Sequence, residues 1–194
     1  MRIAFVAIMI TVLSMSIQAK PTIVAHRGVP FYAPENTTPS LQLALDLNPD
    51  GVEMDFYLTA DKQVMALHDK TTSRTAMGVN HDIKKTESSV LEKVDVGAFK
   101  HDCFKGTTIP YMKEMLDMKP RGKVLVIEIK DDPDTVAPVK DLIEASGHPL
   151  SDFAIISFNM DTCMEARKLM PELEVYYLKS ARDRRTRQIK NFTA

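Results

Sequence analysis

Four short groups of ionisable side chains could do chemistry together: His26 with Arg27, Glu53 with Asp55, His68 with Asp69, and Glu128 with Lys130. Carboxylate oxygens without nearby thiolates suit a hard divalent cation such as Ca2+ or Mg2+, which takes several oxygen ligands and keeps water that a substrate can displace. Glu53, Asp55 and Glu128 are the candidate cage. The same carboxylates could instead pair with Arg27 and Lys130 as structural ions, because a buried charge needs a partner. Spacing leaves both readings open. His26 and His68 are candidates for proton transfer, since a free imidazole titrates at about 6.5 and can act as acid or base. Each alone is more often a structural histidine, so only the constellation points to catalysis. Arg27 offers a planar bidentate donor set and Lys130 a point charge, a combination that favours an anionic substrate. His81, His101 and His148 stand in more irregular stretches and read as surface or loop residues.

The elements that must position these residues alternate along the chain. Thr22 to Ala25 is a short β-branched run, and Gly28, Pro30 and Pro34 after it make a loop. Thr38 and Pro39 start a helix whose Leu41, Ala44 and Leu45 share a face before Pro49 and Gly51 end it. Val52, Met54 and Phe56 alternate with Glu53, Asp55 and Tyr57, so a strand here sends Glu53 and Asp55 to one side. Gln63 to Leu67 is a further extended piece that delivers His68 and Asp69. The connection 70–122 is long, with helical spacing at Val90, Leu91 and Val94 and again at Met112, Met115 and Leu116. Val124 to Ile129 reads as a strand buried on both faces, with Glu128 and Lys130 on the same side. A helix through Val136, Val139 and Ile143 ends at Gly147. Phe153 to Phe158 is a strand, Asp161 caps a helix that stops near Pro171, and Glu174 to Leu178 is a strand again. This β-α-β order predicts a parallel sheet, either open and doubly wound or closed as a barrel, with the active face at the strand ends.

With 194 residues, 44% hydrophobic and 26% charged, the composition is that of one globular domain. Its 25 basic residues balance 26 acidic ones, which excludes broad electrostatic capture of nucleic acid and leaves a small molecule as the expected partner. Cys103 and Cys163 are too few for a disulfide framework and lack the paired spacing of a zinc site. Arg2 precedes the uncharged run Ile3 to Met15, and Ala19 follows with Ile17 two residues before it. The pattern predicts a signal peptide over 1–19, cleaved after Ala19, and a secreted or periplasmic product. The alternative is an uncleaved N-terminal anchor, although about 13 apolar residues are too few to cross the hydrocarbon layer. At the other end Lys179, Arg182, Arg184, Arg185, Arg187 and Lys190 oppose only Asp183, so 179–194 reads as a basic, solvated tail.

His26-Arg27-Gly28, Pro34-Glu35-Asn36-Thr37, Glu53-Met54-Asp55 and His68-Asp69 resemble, in order and spacing, the glycerophosphodiester phosphodiesterase family. The resemblance continues through Arg74-Thr75, Ile109-Pro110, Glu128-Ile129-Lys130 and Ser157-Phe158, and covers roughly residues 22–178. It implies a TIM-barrel-like enzyme that hydrolyses glycerophosphodiesters, such as glycerophosphocholine, to glycerol 3-phosphate and an alcohol with the help of Ca2+ or Mg2+. By the same resemblance Glu53, Asp55 and Glu128 are metal ligands, His26 and His68 the general acid and base, and Arg27 and Lys130 the phosphate contacts. Glu35 and Asn36 would brace the site, and 70–122 would be the family's insertion beside the pocket. Asn36-Thr37-Thr38 and Asn191-Phe192-Thr193 also read as glycosylation acceptors.

Strands are expected near residues 23, 53, 126, 155 and 176. That is five of a barrel's eight, in a chain shorter than the roughly 250 residues typical of the fold. The expected architecture over 20–178 is therefore a TIM-barrel-like parallel β/α fold truncated after about five strands, with exposed sheet edges. Three accounts follow, in this order: a fragment or premature stop, a sheet completed by a second copy of the chain, or a reduced functional variant. A metal-dependent phosphodiesterase and a catalytically weak metal- or phosphate-binding remnant both remain open.

Overall fold

The computed structural model describes residues 21–180. The expected signal peptide and the tail from residue 181 lie outside the described residues. The chain runs β1 (Val24–His26), α1 (Thr38–Asp46), β2 (Gly51–Leu58), β3 (Val64–Ala66), α2 (Ser88–Leu91), α3 (Met112–Met118), β4 (Val124–Ile129), α4 (Val136–Ser146), β5 (Phe153–Ser157), α5 (Met160–Leu169) and β6 (Glu174–Tyr177). Short 3₁₀ turns fill several of the connections. No helix among the described residues is long and apolar enough to cross a membrane.

One sheet holds all six strands; five follow the order β1-β2-β4-β5-β6 with every pair on that path parallel, and β3 pairs with β2 off it. Each parallel strand therefore lies beside its successor in sequence. A doubly wound sheet reverses its order at a switch point and carries helices on both faces. Here the order never reverses, and α1, α3, α4 and α5 all pack on one side. Leu41, Met112, Met115, Val139 and Ile143 from the helices meet Met54, Phe56, Ile127, Ile129 and Ile155 from the strands in a single core. This is barrel topology, the choice that periodicity left open. Alternation sends Glu53, Asp55 and Tyr57 to the other face of β2, the inner side of the curved sheet.

The five expected parallel strands are present, and the sheet carries one further, antiparallel strand. The extended piece at 63–67 forms β3, which pairs antiparallel with the end of β2 through Phe56–Ala66 and Leu58–Val64. A correction concerns 70–122. Its last part, α3, belongs to the barrel wall, while the rest folds round a separate small core of Met65, Leu67, Ile83, Leu91, Val96 and Ile109. Tyr57 and Tyr111 join that core from the barrel side.

Among the described residues the sheet does not close. β1 pairs with β2 alone and β6 with β5 alone. Ile23, just before β1, and Val24, its first residue, are exposed, as are Tyr176 and Tyr177 in β6. Beside β1 a cavity of about 430 Å³ runs between Ala25, Val29 and Phe31 and the end of α1 at Ala44, Leu47 and Pro49. In a closed barrel, neighbouring strands and helices cover such a face.

Candidate active site

Sheet register brings the predicted cluster together. His26 lies opposite Glu53, and Asp55 lies opposite Glu128. Ligand-capable oxygens of Glu53, Asp55 and Glu128 all lie within 4.8 Å of one another, and all three residues are buried. A tight turn after β1 adds Arg27. Arg27 and Gly28 adopt left-handed backbone at φ 53° and 79°, and the Arg27 N–H donates to Glu53 Oε2 at 2.9 Å. Ser40, on α1, fixes this turn by donating to the Arg27 carbonyl at 3.0 Å and accepting from the Val29 N–H at 2.7 Å. A Cβ on Gly28 would stand 2.3 Å from Ser40 Oγ, so only glycine fits there.

The carboxylates outnumber the cations that reach them. Lys130 Nζ donates to Glu128 Oε1 at 2.7 Å and lies 3.3 Å from Asp55 Oδ1. Arg27 Nε is 3.3 Å from Asp55 Oδ2. Asn36 binds Asp55 twice, its Nδ2 donating to Oδ2 at 2.8 Å and its Oδ1 accepting the Asp55 N–H at 3.0 Å. Even so, Glu53 Oε1 and Asp55 Oδ1 are buried without a hydrogen-bond partner. Burial, and after it the charge of Asp55, pushes Glu53 up to about 8. Burial also raises Glu128, against the pull of Lys130. The structural-ion reading thus accounts for Asp55 and Glu128 but leaves Glu53 unpaired. Three buried oxygen donors, two without hydrogen bonds and with excess negative charge, fit a hard divalent cation.

The two histidines flank this cluster. His26 Nε2 is 3.8 Å from Glu53 Oε2. Burial and then the Arg27 charge lower its pKa, and the charge of His68 acts in the same direction. His68 Nδ1 is 2.6 Å from Asp69 Oδ1. Behind Asp69 stands Arg74, whose Nε donates to Asp69 Oδ2 at 2.6 Å while Nη1 and Nη2 grip Glu35 at 2.9 and 2.6 Å. Glu35 Oε1 also accepts from Arg27 Nη1 at 3.1 Å. Burial opposes ionisation of Asp69, but its hydrogen bonds from Arg74 and His68 outweigh it and hold that carboxyl below the usual range.

All seven residues singled out for the site, His26, Arg27, Glu53, Asp55, His68, Glu128 and Lys130, therefore sit at one end of the sheet. Tyr57 shares their face, and burial pushes its hydroxyl up to about 12. The glycosylation reading at Asn36 is overturned, because Asn36 is buried and bonded in both directions to Asp55. The acceptor at Asn191 lies outside the described residues. Cys103 is exposed, Cys163 is buried, and both are free thiols. His148 belongs to the opposite end of the barrel, 3.8 Å from Asp152. Periodicity carries no sign of the clamp built by Arg74 and Glu35, which are 39 residues apart; the motifs containing Glu35 and Arg74 are the available signals.

Comparison with known proteins agrees with this geometry. The profile of the Glycerophosphoryl diester phosphodiesterase family matches residues 26–194. YhdW of Bacillus subtilis is 32% identical over 154 residues, covering 79% of this chain and 61% of that protein. The glycerophosphodiester phosphodiesterase of Caldanaerobacter subterraneus is 31% identical over 160 residues, covering 80% of this chain and 65% of its own length. Among solved structures, a phosphodiesterase of Oleispira antarctica in complex with the product sn-glycerol-3-phosphate superposes with a TM-score of 0.77. It is 31% identical, and the match spans 83% of this chain and 67% of that one. A glycerophosphodiester phosphodiesterase of Agrobacterium tumefaciens gives a TM-score of 0.73 at 29% identity, over 80% of this chain and 66% of that one. The chain thus spans less than two thirds of the length of these curated relatives. With the family profile extending over most of its length, the chain belongs to the glycerophosphoryl diester phosphodiesterase family.

Proposed function

We propose that this chain hydrolyses glycerophosphodiesters of the glycerophosphocholine type to glycerol 3-phosphate and an alcohol. The observation that carries the proposal is the pair of unbonded, buried oxygens of Glu53 and Asp55, set among Arg27, Lys130 and His26. Glu53, Asp55 and Glu128 would hold Ca2+ or Mg2+, which neutralises charge on the phosphate oxygens. Arg27 and Lys130 bind the anionic diester and oppose the charge that grows on it during attack. His26, with its pKa lowered, is neutral near pH 7 and suited to accept a proton from the attacking water, or from the glycerol 2-hydroxyl where a cyclic phosphate forms first and water then opens it. In its doubly protonated form His68 would hand the Nε2 proton to the leaving alkoxide, while Asp69 keeps the proton on Nδ1.

The proposal includes export directed by residues 1–19, supported by Arg2 and the apolar run after it. It also includes pairing of the free β1 and β6 edges with a second copy of the chain, supported by the exposed apolar residues along both. The open sheet favours a second reading, in which the chain binds metal or phosphate without turnover. One assay separates the two. The purified chain is incubated with glycerophosphocholine in EDTA, Ca2+ or Mg2+, and release of glycerol 3-phosphate is followed. Metal-dependent product supports the hydrolase. A folded, metal-binding but silent protein supports the remnant.

A further inference from the structure

Which nitrogen of an imidazole is free to move a proton is set by the hydrogen bond that the other one makes. At His68 that bond goes to Asp69, its neighbour in sequence, and side chains at adjacent positions do not ordinarily face each other. The 2.6 Å contact between Nδ1 and Oδ1 must therefore be held from outside. Arg74 does this. Its Nε takes the far oxygen of Asp69, and its two Nη atoms take both oxygens of Glu35. One guanidinium thus joins the loop after β3, which bears His68, to the loop after β1, which bears Arg27. Arg27 is fixed from a second side by Asp55, whereas among the described residues Asp69 pairs only with Arg74 and His68. The Arg74 side chain is 44% exposed, and its hydrogen bonds go to Asp69 and Glu35.

We propose that Arg74 is a positioning residue that fixes His68 in its Nδ1–H form by holding Asp69 in place. This rests on the reading of His68 as a proton-transfer group. Fork geometry is essential: an ammonium at the same place is a point charge and cannot span two carboxylates in fixed directions. Removal of Arg74 frees Asp69 to rotate into solvent, and His68 then populates both neutral forms.

The test has a spectroscopic arm that needs no turnover. Imidazole nitrogen shifts of the metal-free full chain are recorded at pH 8 for wild type, Arg74→Met and Arg74→Lys. Neutral His68 in the wild type carries its proton on Nδ1, and both variants show a mixture of the two neutral forms. Circular dichroism of each variant establishes that it is folded. In the metal-loaded protein Arg74→Met lowers kcat about 10- to 100-fold, the usual cost of losing a group that orients an imidazole, with a smaller change in KM. In an Asp69→Asn background the same substitution has little further effect on kcat, because the group it acts through is already gone. An unchanged His68 pattern in folded Arg74→Met overturns the proposal, as does a full additional loss of kcat in the Asp69→Asn background. A wild type that shows the single form but never turns over overturns the hydrolase reading and leaves the role of Arg74 in place.

Discussion

Asn36 and Asp55 hold each other through two hydrogen bonds, at 2.8 and 3.0 Å, across the gap between the β1–α1 loop and the middle of β2. Asn36 reaches this position in left-handed backbone, φ 55°, which asparagine and aspartate tolerate better than other side chains. Asn36→Asp keeps the shape and the backbone, but replaces the Nδ2 donor with an oxygen facing Asp55. The metal-free protein should lose about 1–3 kcal/mol, the cost of leaving a buried group unsatisfied. Urea denaturation with and without saturating Ca2+ checks this. Part of the loss should return with the cation, and a loss identical in both conditions would show that Asn36 does not act on the cage.

The histidines and the carboxylates divide the proposed reaction between them. His26→Ala and His68→Ala should each reduce turnover by about 10²–10⁴, the range for general acid or base help. Calorimetric titration with Ca2+ or Mg2+ should be nearly unchanged in both. The paired substitution Glu53→Ala with Asp55→Ala should abolish binding in the same titration. Retained turnover in both histidine variants would remove them from the mechanism.

Protonation of Glu53 links metal-free stability to pH. Its folded pKa of about 8 lies above the ordinary 4.5, so between those values the folded protein keeps a proton that the unfolded chain has released. Stability from this group is full below pH 4.5 and declines as pH rises through 8. Glu128 is raised by burial and acts in the same direction. His26, with a lowered pKa, acts in the opposite one, so the readout is the difference between wild type and Glu53→Gln. In EDTA the wild-type Tm should fall relative to Glu53→Gln from pH 5 to 8, and metal affinity should climb over the same range as the proton becomes easier to displace. Parallel Tm curves for the two proteins would contradict the assignment.

Much of this site is written locally in the chain. Alternation along residues 52–57 alone puts Glu53 and Asp55 on one face, and the apolar run 124–129 places Glu128 on a strand that can lie beside them. What periodicity does not carry is contact between distant loops. Arg74 meets Glu35 because the insertion folds back over the end of β1, held there by Lys100 donating to the Pro30 carbonyl and by Lys84 bridging Asp131 and Asp132. The place of α3 was hidden for a related reason. Met112, Met115 and Leu116 show that a helix is there, but not which of two cores it covers. Barrel and doubly wound sheets share the same β-α-β grammar, and strand order, a property of the whole sheet, decides between them.

At the opposite end of the barrel Lys119 and Asp152 test how the wall is tied together. Lys119 Nζ lies 2.8 Å from Asp152 Oδ2 with both side chains almost fully buried, 4% and 7% exposed. The same oxygen accepts the Gly122 N–H at 2.9 Å, so one carboxylate joins the end of α3, the turn before β4 and the start of β5. Lys119 also lies 5.1 Å from the centre of the Phe153 ring. Removal of one partner of a buried pair strands the other charge, which costs about 3–5 kcal/mol. Lys119→Met should therefore destabilise the protein by that amount at pH 7, whereas Lys119→Met with Asp152→Asn should recover much of it, since an amide can still accept from Gly122 without a buried charge. Chemical denaturation of the three proteins measures both steps. The folded fraction of each should bind metal as wild type does, because the pair sits at the far ends of the strands from Glu53, Asp55 and Glu128. Weaker metal binding in the folded single variant would mean that strain at this end of the sheet reaches the carboxylates along β4.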